Sequence, residues 1–191
     1  MSPLSAPVER KHLHTRRYEF QGYERADGLW DIEGHMTDTK TYGFPNEWRG
    51  EIKAGEPIHD MWIRLTLDDH LVVKDIEAAT AASPFHLCGD ITPNYAAIKG
   101  AQIGRGWNKR IKELFGGPTG CTHHTEMLGA MATVAYQTIF SARHKWETAD
   151  GKSKRPTFID TCHALASDSE IVKKHWPAFY SGDSERAKSG S

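Results

Sequence analysis

The stretch PTGCTHHTEML, residues 118–128, sets a cysteine and two adjacent histidines between a Pro-Gly loop and the start of a helix. Thiol and imidazole are side chains that exchange protons, attack carbon or ligate metals near neutral pH. On a helical wheel His124 falls near the centre of the stripe formed by Met127, Leu128, Met131 and Ala135. His123 lies at the border of that stripe and Glu126 on the far side. In a first helical turn the unpaired N–H groups and the dipole disfavour imidazolium, which leaves a neutral ring suited to general-base work or ligation. The competing expectation is a buried His124 donating to a backbone carbonyl, with Thr122 as the helix cap. Adjacent residues cannot both face inward, so at most one of the two histidines is central.

Other stretches offer partners. WDIEGHMTD (30–38) puts Asp31, Glu33 and His35 on one strand face with Asp38 just beyond, and a solvated face explains the same pattern. EPIHDMW (56–62) places His59 and Asp60 just before a strand, and SPFHLCGD (83–90) places His86, Cys88 and Asp90 in a Pro/Gly loop. His59, Cys88, Cys121 and His124 form a candidate N/S ligand set for zinc or iron, although no CxxC pair is present. Trp30, Trp62, Tyr23, Tyr42, Arg17 and Arg64 are candidates to line a pocket for an aromatic or carboxylate-bearing ligand, against a purely structural role. His12, His14, His70 and His144 are expected at the surface. Asp160, Cys162 and His163 form a trio that capping and core packing explain equally well.

Composition narrows the classes. A chain of 191 residues with 38% hydrophobic content can bury one sizeable core. The net charge of −1 offers no nucleic-acid footprint, and no run approaches the ~20 apolar residues of a membrane span. Three widely spaced cysteines argue against a disulfide framework. With no apolar leader in MSPLSAPVERKHLHTRR, the expectation is a cytoplasmic protein with no membrane or nucleic-acid partner and, on base rates, a homodimer.

The elements that must position these residues follow from periodicity. Residues 1–14 carry Pro, Ser and charge and are expected to be flexible. RRYEFQGYER and LWDIEGHMTDTKTY alternate on either side of an Asp-Gly turn, which predicts a hairpin. HDMWIRLTL and LVVKDIEAAT flank DDH and predict a second hairpin, after a Gly/Pro-rich loop at 43–57. Beyond Pro84 the period becomes helical: a short piece at 94–100, a helix carrying Trp107, Ile111, Leu114 and Phe115, and a long amphipathic helix from Met127 to Ile139. Strands first and helices later predict an α+β fold, an antiparallel sheet of two hairpins with helices on one face. The domain is expected over 15–146, with a linker at 147–156, a helical segment packing on it at 157–180, and a disordered tail at 181–191.

The runs GLWDIEGHMTDTKTYGF, GEPIHDMWIRLTLDDHLVVKDIEAAT, GRGWNKRIKELFGGPTGCTHHTEMLGAMATVAYQTI and FIDTCHALASDSEIVKKHWPAFY resemble the bacterial domain-of-unknown-function family 2889, from about residue 15 to 180. That resemblance implies a link to aromatic catabolism, including lyases that release formaldehyde from lignin-derived aromatic dimers. The order of hairpin, Cys-bearing loop and Cys/His-led long helix also looks like the iron–sulfur scaffold fold, with His59 and Asp60 standing where a cysteine is expected.

The function expected is therefore a carbon–carbon lyase without cofactor, acting on a small aromatic substrate. His35, His59, His124, Asp38 and Tyr42 would carry the acid–base steps. Arg64, Arg17, Trp30, Trp62, Tyr23 and His123 would bind substrate. The alternative is a zinc- or iron-binding, scaffold-like protein using His59, Cys88, Cys121 and His124.

Overall fold

The computed structural model describes residues 3–149 and 155–182, without the side chains of 141 and 143–149. Residues 150–154 of the linker expected at 147–156, the end of the tail at 183–191 and the side chain of His144 thus lie outside the described residues, and residues 147–149 close a helix instead. The chain divides into two compact units, residues 1–143 and 144–191.

The first unit is α+β. Four antiparallel strands run in the order β1 (His14–Glu24), β2 (Trp30–Lys40), β5 (Pro57–Leu67), β6 (Val73–Ala82). Two hairpins, β1–β2 and β5–β6, thus meet through the central β2–β5 pairing. The first turn closes at Gly28, whose φ of 81° suits the left-handed region that glycine tolerates. In the second turn the Asp68 carboxylate accepts from the backbone of His70 and Val72. There Leu71 holds a φ of 61° while fully buried, so packing compensates an unfavourable backbone conformation. The segment expected as a loop at 43–57 instead carries a small ribbon, β3 (Phe44–Asn46) with β4 (Gly50–Ile52).

Period-two alternation gives the sheet one apolar face. Trp30, Ile32, Met36, Met61, Ile63, Leu65 and Leu67 are buried on it. Covering this face are a 3₁₀ segment (His86–Ile98), helix α1 (Trp107–Phe115) and helix α2 (Thr122–Ala149). Tyr95, Ile98, Trp107, Ile111, Phe115, Met127, Leu128, Met131, Ala135 and Ile139 complete the core. Helix α2 approaches β1 so closely that a Cβ on Gly22 would stand 2.0 Å from Thr138 Oγ1. Only glycine fits there.

In the second unit, helix α3 (Glu170–His175) is capped by Ser169, whose hydroxyl accepts from the Val172 amide. Phe158 lies edge-on to Trp176, and Val172 is fully buried.

Candidate functional site

Continuing the buried alternation of β2 past Met36 brings Asp38 onto the helix-covered face, where a carboxylate is expensive unless paired. Its residue exposure is 2%. Arg16 on β1 grips it with both prongs, Nε to Oδ1 at 2.8 Å and Nη2 to Oδ2 at 2.7 Å. His14 Nε2 lies 2.9 Å from Oδ1, and His59 Nδ1 lies 2.9 Å from Oδ2. These partners come from the two neighbouring strands, because β1 sets Arg16 and β5 sets His59 directly opposite Asp38. Burial alone would push the Asp38 carboxyl up. The Arg16 fork, His14 and His59 outweigh it and hold the carboxyl down at about 2. Asp38 is therefore a fixed negative charge at any ordinary pH.

His59 is the ring this charge orients. With Nδ1–H donated to Asp38, the lone pair sits on Nε2. Burial lowers the protonation of His59, opposed by Asp38 and helped by the nearby Arg16 and Arg49. His123, in the first turn of α2, tilts against His59 with ring centroids 4.0 Å apart, and its Nε2 lies 3.8 Å from Asp38 Oδ2. Cys121 Sγ lies 3.8 Å from the other nitrogen of His123, Nδ1. Burial raises the Cys121 thiol, but His123 and the backbone N–H groups of residues 123 and 124 pull it below its ordinary value overall. Around the rim, Tyr18 donates to Glu126 at 2.8 Å, and Arg16 Nη1 reaches the same carboxylate oxygen at 3.3 Å. Ligand-type atoms of Asp38, His59 and His123 all lie within 4.8 Å of one another, the one such trio among the described residues.

His124 turns inward as its place on the helical wheel predicts, and is fully buried. Its Nε2 meets the Ala79 carbonyl at 3.1 Å, so that nitrogen carries the proton. Nδ1 is buried without a hydrogen-bond partner, as is the Thr80 hydroxyl. Burial keeps the ring neutral. Of the two readings open for His124, this is the backbone-donating one, and it is His123 that stands beside His59. Tyr95 ties down the same helix start, taking the Cys121 amide at 2.8 Å and donating to the Cys121 carbonyl at 3.0 Å.

His35 lies on the opposite, uncovered face of the sheet. It stacks on Trp62 with centroids 3.7 Å apart, and Asp60 Oδ1 binds both His35 Nε2 at 2.9 Å and Trp62 Nε1 at 2.8 Å. Arg64 shares that face, bridging Glu33 and Glu77, and the register places Arg17 and Tyr23 there too. Trp30 belongs to the core face and donates to Asp69. Tyr42 is exposed beyond the end of β2 with Lys40 over its ring. Cys88 is a half-buried free thiol in the 86–98 segment, outside the 38/59/123 trio. The expected residues are thus divided between two faces: His59, Asp38 and His123 come together, and His35, Trp62 and Arg64 form a separate group. His14 is exposed, as expected of a surface histidine, but its contact with Asp38 and that of Arg16 escaped the sequence reading. Their signal was their position, even-numbered like Tyr18 and Phe20, at the start of the first alternating run.

In the second unit Asp160 holds a φ of 68° and accepts from the Ser167 amide and from Arg155, while Cys162 is exposed. Of the 160/162/163 trio only Asp160 makes these side-chain contacts, and Cys162, at the start of a short 3₁₀ turn, makes no side-chain cap hydrogen bond.

Residues 14–137 match the model of a family described as Protein of unknown function (DUF2889). No curated protein and no solved structure matches the chain significantly.

Proposed function

The chain belongs to the DUF2889 family, and from that footing we propose that it is a carbon–carbon lyase releasing formaldehyde from a hydroxymethyl-bearing phenolic dimer. The single observation that carries this reading is the Asp38–His59 pair. A buried, permanently charged carboxylate fixes the tautomer of a neutral imidazole and leaves its Nε2 ready to accept a proton. In a phenylcoumaran-type substrate the ionised phenol expels the ring aryloxide and becomes a quinone methide. His59 Nε2 then takes the proton of the hydroxymethyl oxygen. The O–H electron pair becomes the C=O of formaldehyde as the carbon–carbon bond breaks, and the released pair forms the stilbene double bond and restores the phenolate. No oxidant or reductant enters. His123, whose ring packs against His59, would offer a proton to the phenolic oxygens.

Purified protein incubated with a phenylcoumaran-type dimer is expected to yield equimolar formaldehyde and stilbene. His59→Gln is expected to slow release by roughly 10²–10⁴-fold while still unfolding cooperatively. Absence of product from the wild-type protein, over a panel of hydroxymethyl-bearing aromatic dimers, would remove the reading.

A further inference from the structure

The acid–base reading employs Asp38 and His59 and gives His123 a minor part, yet all three converge. We infer that Asp38, His59 and His123 form a binding site for a divalent transition-metal ion, with zinc, cobalt or ferrous iron as the chemical class. The three side chains come from β2, β5 and the first turn of α2, so the site exists only once sheet and helix are assembled. Asp38 Oδ2 is 2.9 Å from His59 Nδ1 and 3.8 Å from His123 Nε2, and all the ligand atoms fall within 4.8 Å. Metal–ligand bonds of ~2.0–2.2 Å in a tetrahedron separate ligand atoms by about 3.3–3.6 Å. The observed spacings bracket that range, so small side-chain adjustments suffice to enclose an ion.

Two imidazoles and one carboxylate suit zinc, cobalt and iron rather than calcium or magnesium, which favour all-oxygen sets. Three protein ligands leave coordination positions open, as in sites where a metal meets a small molecule. The surroundings resemble an outer shell as well. Arg16 and His14 fix the orientation of Asp38, and Cys121 touches the ring nitrogen of His123 that faces away from it. The Arg16 charge opposes a cation and Glu126 partly offsets it, which sets the affinity below that of an all-anionic site. Binding on His59 Nδ1 displaces the proton now shared with Asp38. The metal-loaded form and the hydrogen-bonded pair therefore exclude each other.

The site shares residues with the lyase reading but does not depend on it. Full-length protein stripped with chelator is titrated with Co²⁺ alone, followed by calorimetry and by visible absorption. One equivalent is expected to bind, with d–d bands of four- or five-coordinate cobalt, and Zn²⁺ is expected to displace it. His123→Ala and His59→Ala, each checked for cooperative unfolding, are expected to weaken binding at least ten-fold, whereas His35→Ala leaves it unchanged. Absence of saturable binding by the wild-type chain, or equal affinity in the His59 and His123 variants, would overturn the inference. Formaldehyde release by the stripped protein is measured in parallel. Turnover without cobalt binding sinks the metal site alone, and cobalt binding without turnover, metal-loaded or stripped, sinks the lyase reading alone.

Discussion

Strands β2 and β5 build a His–Asp pair on each face of the same sheet, with the residue types exchanged between the strands. On the covered face β2 supplies Asp38 and β5 supplies His59, and on the open face β2 supplies His35 and β5 supplies Asp60. The hydrogen bonds are equally long, 2.9 Å. What differs is the setting. The side chain of Asp38 is 3% exposed and clamped by an arginine, whereas that of Asp60 is 24% exposed and divides one oxygen between a histidine and a tryptophan. Low local dielectric strengthens the first pair and makes any loss within it costly, while water dilutes the second. The pairing motif is common to both faces, and burial sets how tightly each pair is held.

The most forceful way to break this comparison is catalytic. Formaldehyde release (kcat/KM) is expected to fall by roughly 10²–10⁴-fold in His59→Gln, the usual worth of a positioned base, and to change only a few-fold in His35→Gln. Equal losses in both variants would erase the distinction between the faces. Stability follows. Asp38→Asn leaves Arg16, His14 and His59 facing an uncharged amide and is expected to cost about 2–3 kcal/mol in urea unfolding, against less than about 1 kcal/mol for Asp60→Asn.

Acid titration sharpens the same point. Asp38 is held at about 2, below the ordinary value of 3.8. Its contribution is therefore complete above the ordinary carboxylate range and disappears as pH falls through about 2. The difference in unfolding free energy between chelator-treated wild type and Asp38→Asn is expected to shrink by roughly 2 kcal/mol over that window. The smallest effect belongs to the open face. Trp62 is 43% exposed, and Trp62→Ala is expected to shift stability by less than about 1 kcal/mol, read as a change of a few degrees at most in thermal melting.

Much of the fold was legible because its signals are local. The Asp-Gly turn, the alternation of Met61, Ile63, Leu65 and Leu67, and the stripe from Met127 to Ile139 each announce an element within a dozen residues. His124 was correctly turned inward by the same stripe. The site was harder to read, since it depends on which strands become neighbours. Asp38 stood at the edge of the run read as a polar face, yet its even number puts it in phase with Trp30, Ile32 and Met36. Nothing between residues 40 and 57 says that β5 will pair with β2 and set His59 opposite Asp38, or that β1 will deliver Arg16 from the other side. His123 sat at the border of its stripe, and the packing of the start of α2 on the sheet brings it to His59.

The pairing of β2 with β5 slips by one residue immediately after Asp38, where Asp38 faces His59 but Thr39 faces Pro57. The offset leaves Ile58 as the extra, buried residue of β5 and disrupts the ladder locally. Asp38 and His59 are therefore the last directly opposed pair before the ladder breaks step, and the 41–56 connection joins the two strands beyond that break.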